Sequence, residues 1–354
     1  MLVDGPVLVV RLVSGEQVLY LFGDYHLSEG EQTECAAEGP SLRVDSLLKK
    51  LFLKDRGRKI GFFCETSAED LLGTSTALTK MYVLKVMDLF HAGFRLRGDG
   101  GRVRPSEAYP NVMFHHFDTR GTSNLDPHYP SHLEPVHGFY LDRLVRQVRD
   151  FVAEEWERQN RDTALRKVRG SRLRALRGLH SECAEDVSSF MEHASVLERE
   201  VRATLGRLRE HEWGPAEARR EVAGLWEAYR SALALAMNKW SAWSDLVLFR
   251  RLVEKDYGCR LNVVYAGNTH VLMVLFLLLK HTDYRDTHST RDLSFVKSNL
   301  ERFGVRWFTD HHDEIVLRVM GVYDNLGSGF KESPPQCVDL GGFPEVDELD
   351  SPSA

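Results

Sequence analysis

The chain has 354 residues, 43% of them hydrophobic and 28% charged, with 52 acidic side chains against 46 basic ones and a formal net charge of −6. Such a composition supports one large buried core or two smaller ones, and it excludes a globally basic field that would gather nucleic acid or anionic membrane. Five scattered cysteines without a C-x-x-C pair indicate neither a disulfide framework nor a zinc knuckle.

The opening stretch MLVDGPVLVVRLV carries an acid and a glycine where a secretion signal needs a basic end and a long apolar run, and it is predicted as strand. VLVVRLV and QVLYLF flank the turn signal SGE as a hairpin. KIGFFCE at 59–65 and NVMFHHF at 111–117 are predicted as further strands of a buried α/β sheet. From 136 to 257 the pattern changes to long, charged, helix-forming stretches, broken at Gly170, Gly178 and the WGP at 213–215. RLNVVYAG at 260–267 returns to strand, and THVLMVLFLLLKH is predicted as a helix. Its apolar run is roughly half of the ~20 residues needed to cross a bilayer, so no membrane span is expected. VRWFTDHHDEIVLRVMGVY at 305–323 is predicted to add one or two strands. The end of the chain has too little apolar content to pack and is expected to be disordered. The expected fold class is therefore α/β, a central mixed β-sheet with flanking helices. Residues 1–135 and 258–324 form its two parts, a long helical block at 136–257 interrupts them, and 325–354 is a disordered tail.

Two strands run into the same short motif, YLFGDYH at 20–26 and VVYAGNTH at 263–270. A glycine ending a parallel strand lets the backbone turn sharply at the carboxyl edge of the sheet, where open α/β folds place their ligands. A histidine three residues later then leaves a tight loop, so His26 and His270 are expected to aim at a common point. Glu65 ends the apolar run KIGFFCE, a place where a carboxylate is costly unless it meets a cation, a metal or a proton-transfer task; a turn cap or an arginine pair would be the structural alternatives. Asp118 and Arg120 follow another strand in FHHFDTR and share one face, as a structural salt bridge or as part of the site.

Imidazole serves both as a metal ligand and as a base near neutral pH. The chemistry expected of these residues is metal-assisted hydrolysis of an unidentified peptide or ester. His26, His270 and Glu65 would surround a divalent ion of unspecified type, with Asp24 as a further or supporting ligand. Arg120 would stabilise a developing oxyanion and Asp118 would orient it. A metal-free variant uses His26 as general base, oriented by Glu65. In such a water-accessible crevice, removing His270 is expected to change stability by no more than ~1 kcal/mol.

The helical block contains RQNRDTALRKVRGSRLRALRG at 158–178, in which Arg158, Arg161, Arg166, Lys167, Arg169, Arg172, Arg174 and Arg177 face one acid, Asp162. This stretch is expected to be a solvated helix face; docking of phosphate or of an acidic protein partner is the bolder reading. No aromatic residue lies within it to stack on bases, so the nucleic-acid signal is not strong. Trp226, Trp240 and Trp243 are expected to be core residues of this block. Asp245, in WSDLVLFRRL, is open between a cap, a buried pair with Arg250 and a site residue. The HH pairs at 115–116 and 311–312 are left out of the site, because adjacent residues on a strand face opposite ways.

Taken in order, GDYH at 23–26, Glu65 in FFCET, Arg120 in FDTR and GNTH at 267–270 resemble the shared pattern of the Tiki/TraB superfamily, which includes relatives of the ChaN and erythromycin-esterase type. The resemblance covers the N-terminal third of the chain and a late segment. YLFGDYH, FHHFDTR, WSDLVLFRRL and VVYAGNTHV are also similar to uncharacterised proteins of large DNA viruses. What the resemblance implies is an α/β hydrolase-like core, with metal-dependent peptidase activity in one branch and metal-independent esterase chemistry or haem binding in others. The chain is expected to depart from the animal Tiki pattern in having no secretion signal or membrane anchor and in carrying the large helical block, so substrate does not transfer by analogy. A soluble protein, intracellular or virion-associated, is expected. It would act as a hydrolase or, alternatively, as a non-enzymatic interaction protein that retains the fold.

Overall fold

The computed structural model describes residues 1–25, 35, 41–54, 56–66, 82, 83, 85, 86, 108–118, 157, 162–210, 220, 241–301, 304–320 and 336–349. Two compact units divide the chain. One joins Met1–Asp118 to Asp245–Ala354, and the other is Thr119–Ser244. The run that begins at Asp245 therefore counts with the sheet, whereas the charge pattern grouped it with the helical block.

The first unit is α/β. A six-stranded mixed sheet is built from β2 (Leu8–Ser14), β3 (Gln17–Asp24), β5 (Ile60–Cys64), β6 (Val112–His116), β7 (Leu261–Gly267) and β8 (Arg285–Ser289), in the order β6-β5-β7-β3-β2-β8. The apolar runs before Glu65, Asp118, His270 and Asp24 are β5, β6, β7 and β3, and they lie side by side and parallel. Their carboxyl ends consequently share one edge. β2 returns antiparallel to β3 through a two-residue turn, with Gly15 at φ 56°, a conformation that suits glycine.

Period-two alternation splits the side chains between two buried faces. One face carries Val18, Tyr20, Phe22, Ile60, Phe62, Val263 and Tyr265, covered by Val44, Leu47, Leu48 and Phe52 of the helix Val44–Lys54. The other buries Leu19, Leu21, Phe63 and Val264. The helix Asn268–His281 packs against β3 and β7 and is buried at every position from Val271 to Leu278, which accounts for its long apolar run. Among the described residues no helix is long and apolar enough to cross a membrane.

Three expectations are corrected in this unit. Residues 305–319 are helical, as Val305–Asp310 and His312–Val319, because Phe308, Ile315, Val316 and Val319 bury at helical spacing rather than at alternate positions. The tail expected to be disordered is ordered over 336–349. Its strand β9 (Cys337–Asp339) pairs antiparallel with β1 (Leu2–Asp4), which pairs in turn with β4 (Ser41–Arg43). Val338, Leu340, Phe343 and Val346 join the core, and Glu345 takes a bidentate pair from Arg11 at 2.8 and 2.9 Å and a hydrogen bond from Tyr20 at 2.5 Å. Burial would raise the Glu345 carboxyl, but the Arg11 and Tyr20 hydrogen bonds hold it down to about 2. Finally, Cys35 and Cys337 form a disulfide between residues 302 apart, where scattered cysteines gave no sign of one.

In the second unit, the helices Thr163–Arg169 and Arg174–Glu210 bury Leu165, Val168, Leu176, Leu179 and Cys183. Arg166, Lys167, Arg169, Arg172, Arg174 and Arg177 are exposed; Arg158 and Arg161 lie outside the described residues. Asp162 caps the shorter helix, accepting from the N–H groups of Ala164 at 2.7 Å and Leu165 at 3.0 Å. Trp243 is buried and stacks on His180; Trp226 and Trp240 lie outside the described residues.

Candidate functional site

At the carboxyl edge of the parallel strands, three ionisable side chains meet. Glu65 follows directly on β5, and its N–H still donates to Tyr265 O at 3.0 Å, so the strand ladder carries it to the edge. His270 is not held on a tight loop as expected. It sits in the first turn of the helix Asn268–His281, whose N-cap is Gly267 at φ −54°. Asp245 comes from a helix spanning 241–254, which is anchored to β6 through Arg251 donating to His116 O.

The imidazole is clamped at both nitrogens. Nδ1 lies 2.6 Å from Asp245 Oδ1 and Nε2 lies 3.0 Å from Glu65 Oε1. The second oxygen of Glu65 accepts the Gly267 N–H at 2.6 Å, placing the carboxylate at the positive end of the helix. His270 is 4% exposed and Asp245 2%, with the ring of Phe117 edge-on to the imidazole. Burial alone would push the imidazolium toward deprotonation, yet the charges of Asp245 and Glu65, with their hydrogen bonds, overcome it and raise His270 to about 10. In the absence of any other cation His270 is therefore an imidazolium between two carboxylates, with both of its N–H groups donating.

Asp24, at the end of β3, is 1% exposed and accepts from Tyr265 Oη at 3.0 Å and from Gln336 Nε2 at 2.6 Å. Burial, followed by the charge of Asp24, raises Tyr265 well above its ordinary value and keeps it a donor. The backbone N–H of Asp118 donates to Thr66 O at 3.2 Å, which places Asp118 beside the end of β5. His26 and Arg120 lie outside the described residues. His115 stacks on Phe63 and Tyr257. Burial pushes it down to about 3, so it is a neutral packing group. His311 closes a helix turn, its Nδ1 2.9 Å from Trp307 O.

The first Gly-x-x-His motif needs its glycine for room rather than for a turn. Gly23 does not have a positive φ, but a Cβ there would lie 2.7 Å from Asn268 Oδ1 and 3.3 Å from Asn268 Cα. The missing side chain is what lets the start of the helix Asn268–His281 approach β3. Gly23→Ala is expected to cost about 1–3 kcal/mol, as overpacking does. Urea unfolding checks this, and an unchanged midpoint would mean that the helix start yields freely.

Asp245, Tyr265 and Gln336 were not assigned to the site from sequence. Asp245 had a signal, an acid set in the buried run Leu246–Phe249, which demands a buried partner. Gln336 had none, since a short polar stretch near the chain's end predicts nothing about its contacts.

Residues 1–130 match a family of unknown function, DUF5847. The chain is 30% identical over 176 residues to an uncharacterised protein of Acanthamoeba polyphaga mimivirus, covering 44% of this chain and 37% of the relative. A second and a third uncharacterised mimivirus protein match at 29% and 32% identity, covering 35% and 34% of this chain. The chain spans about a third of the length of these curated relatives, 37% of the first and 31% of the other two. No solved structure matches it.

Proposed function

We propose that the edge formed by Glu65, His270 and Asp245 is a hydrolytic site that binds a divalent ion and acts on a peptide or ester carbonyl. The observation that carries this reading is the paired clamp on His270. Asp245 takes the Nδ1–H, so that once the Nε2 proton leaves, the Nε2 lone pair would face Glu65, the carboxylate–histidine arrangement common behind metal ligands. Nε2 and Glu65 Oε1, 3.0 Å apart, are spaced like two neighbouring donors on one ion with bonds of about 2.1 Å. An ion in place of the His270 proton would set a divalent charge beside the two carboxylates. The resemblance to the Tiki/TraB pattern supports the reading and assigns His26 as a further ligand.

When bound, the ion would supply a water acidic enough to attack near neutral pH. Asp245 holds the imidazole plane. The Gly267 N–H fixes the second oxygen of Glu65, leaving Oε1 directed at His270. The ring of Phe117 lies edge-on to the imidazole, and His270 and Asp245 are buried. Arg120 is assigned to oxyanion stabilisation and Asp118 to its orientation. In the metal-free variant, where His26 is the general base oriented by Glu65, a His270 that holds its proton to about 10 would stabilise negative charge beside them.

Calorimetric titration of the chelator-stripped, oxidised chain with zinc and with manganese tests the proposal. One ion should bind per chain, more tightly as the pH rises toward 9, because the His270 proton must leave. Glu65→Gln should weaken binding by at least ~10–100-fold. Absence of binding at every pH would favour the second reading, an interaction protein in which Asp245, His270 and Glu65 form a structural ion triad; the raised proton affinity of His270 is the observation that favours it.

A further inference from the structure

We infer that Asp4, Cys35 and Cys337 form a second metal site, gated by the disulfide, that takes a thiophilic divalent ion of the zinc class when the disulfide is reduced. Its ligand atoms, one carboxylate oxygen and the two Sγ, all lie within 4.8 Å of one another. Asp4 and Cys337 are directly opposed cross-strand partners on β1 and β9, so their side chains share a face. Cys35 is tied to the same point by its own N–H, which donates to Asp4 Oδ1 at 2.8 Å.

The disulfide alone does not account for Asp4. This carboxylate is 7% exposed, and its hydrogen bonds come from two neutral donors, Cys35 N–H and, at 2.6 Å, Ser41 Oγ. Among the described residues no cation pairs with it. Arg43, its partner on β4, turns instead to Asp45 at 3.0 Å. A buried carboxylate without a counter-charge is costly, and a divalent ion at the adjacent sulfurs would supply one. A carboxylate with two thiolates is a ligand set that suits zinc with water in the fourth position. Cys64, Cys183 and Cys259 are buried and form no disulfide.

A dithiol reductant delivers two electrons and two protons, the S–S bond breaks to two thiols, and the reductant leaves as its own disulfide. The ion then displaces both thiol protons and forms two metal–sulfur bonds, and Asp4 donates the oxygen.

Cobalt(II) is the probe. The full chain, reduced with a phosphine that does not bind the ion, is titrated with cobalt while thiolate-to-metal absorption in the near ultraviolet and circular dichroism are recorded. The reduced chain should develop that absorption at one cobalt per chain and lose it to added zinc; the oxidised chain should not develop it. Cys337→Ser should abolish the band, and Asp4→Asn should weaken binding about tenfold or more. The thiolate band separates this site from the one at Glu65 and His270, which contains no sulfur. If reduction unfolds the chain, refolding on addition of zinc supports the site, and failure to refold overturns it. A folded, reduced chain without the band overturns it, as does an Asp4→Asn chain that binds cobalt as tightly as the parent and so leaves Asp4 only a turn-organising role.

Discussion

His270→Ala is expected to destabilise the metal-free chain by about 3–5 kcal/mol, the range found when one partner of a buried ion pair is removed. Reasoning from a water-accessible crevice put this cost at no more than ~1 kcal/mol, and the geometry reverses that estimate. His270 is buried, and its loss strands Asp245 and Glu65 as facing carboxylates without the charge that holds them. The stranded acids respond by taking up protons, so the penalty should be smaller at pH 5 than at pH 6.5, a range below that in which the His270 contribution itself declines. Adding Asp245→Asn to His270→Ala removes one of the stranded charges and should recover part of the loss, a coupling that a double-mutant cycle measures. Denaturant unfolding at both pH values checks the set. A His270→Ala chain as stable as its parent would show that the clamp contributes no stability.

The parts of this architecture that were legible in the sequence are those where the pattern is local. β3, β5, β6 and β7 are apolar runs bounded by polar residues, and their strand ends drew attention to Glu65 and His270 before their partners were visible. Asp245 was legible only as a problem, because a charge in a buried run names no partner; its distance from His270 is set by how a helix crosses a sheet. The Cys35–Cys337 bond was hidden for a similar reason, since pairing over 302 residues leaves no spacing to read. The ordered segment at 336–349 was missed because its four apolar anchors are sparse, and it is fastened by an ion pair from Arg11 and a hydrogen bond from Tyr20 that composition does not reveal. The helices at 305–319 were misread as strands because β-branched and aromatic residues dominate a stretch whose burial nonetheless follows the helical period.

The same clamp predicts how stability follows pH. Folding raises His270 from an ordinary value near 6.5 to about 10, since the two carboxylates outweigh the cost of burying the imidazolium. A group whose affinity for its proton is higher in the folded state stabilises that state fully below its unfolded value, and the contribution is lost as the pH climbs through the folded one. The metal-free chain should therefore lose stability steadily between pH 7 and pH 10, at a limiting slope of about 1.4 kcal/mol per pH unit for one proton. Other groups titrate over the same range, so the quantity to measure is the difference between the parent and His270→Ala, taken from denaturant midpoints across that window. That difference should shrink from pH 7 to pH 10. With an excess of the ion that the site is proposed to hold, the decline should flatten, because the ion takes the place of the proton that high pH removes. A difference that stays constant from pH 7 to pH 10 would mean that His270 is already neutral at pH 7, and the ion triad would then give way to a neutral hydrogen-bonded chain from Asp245 through His270 to Glu65.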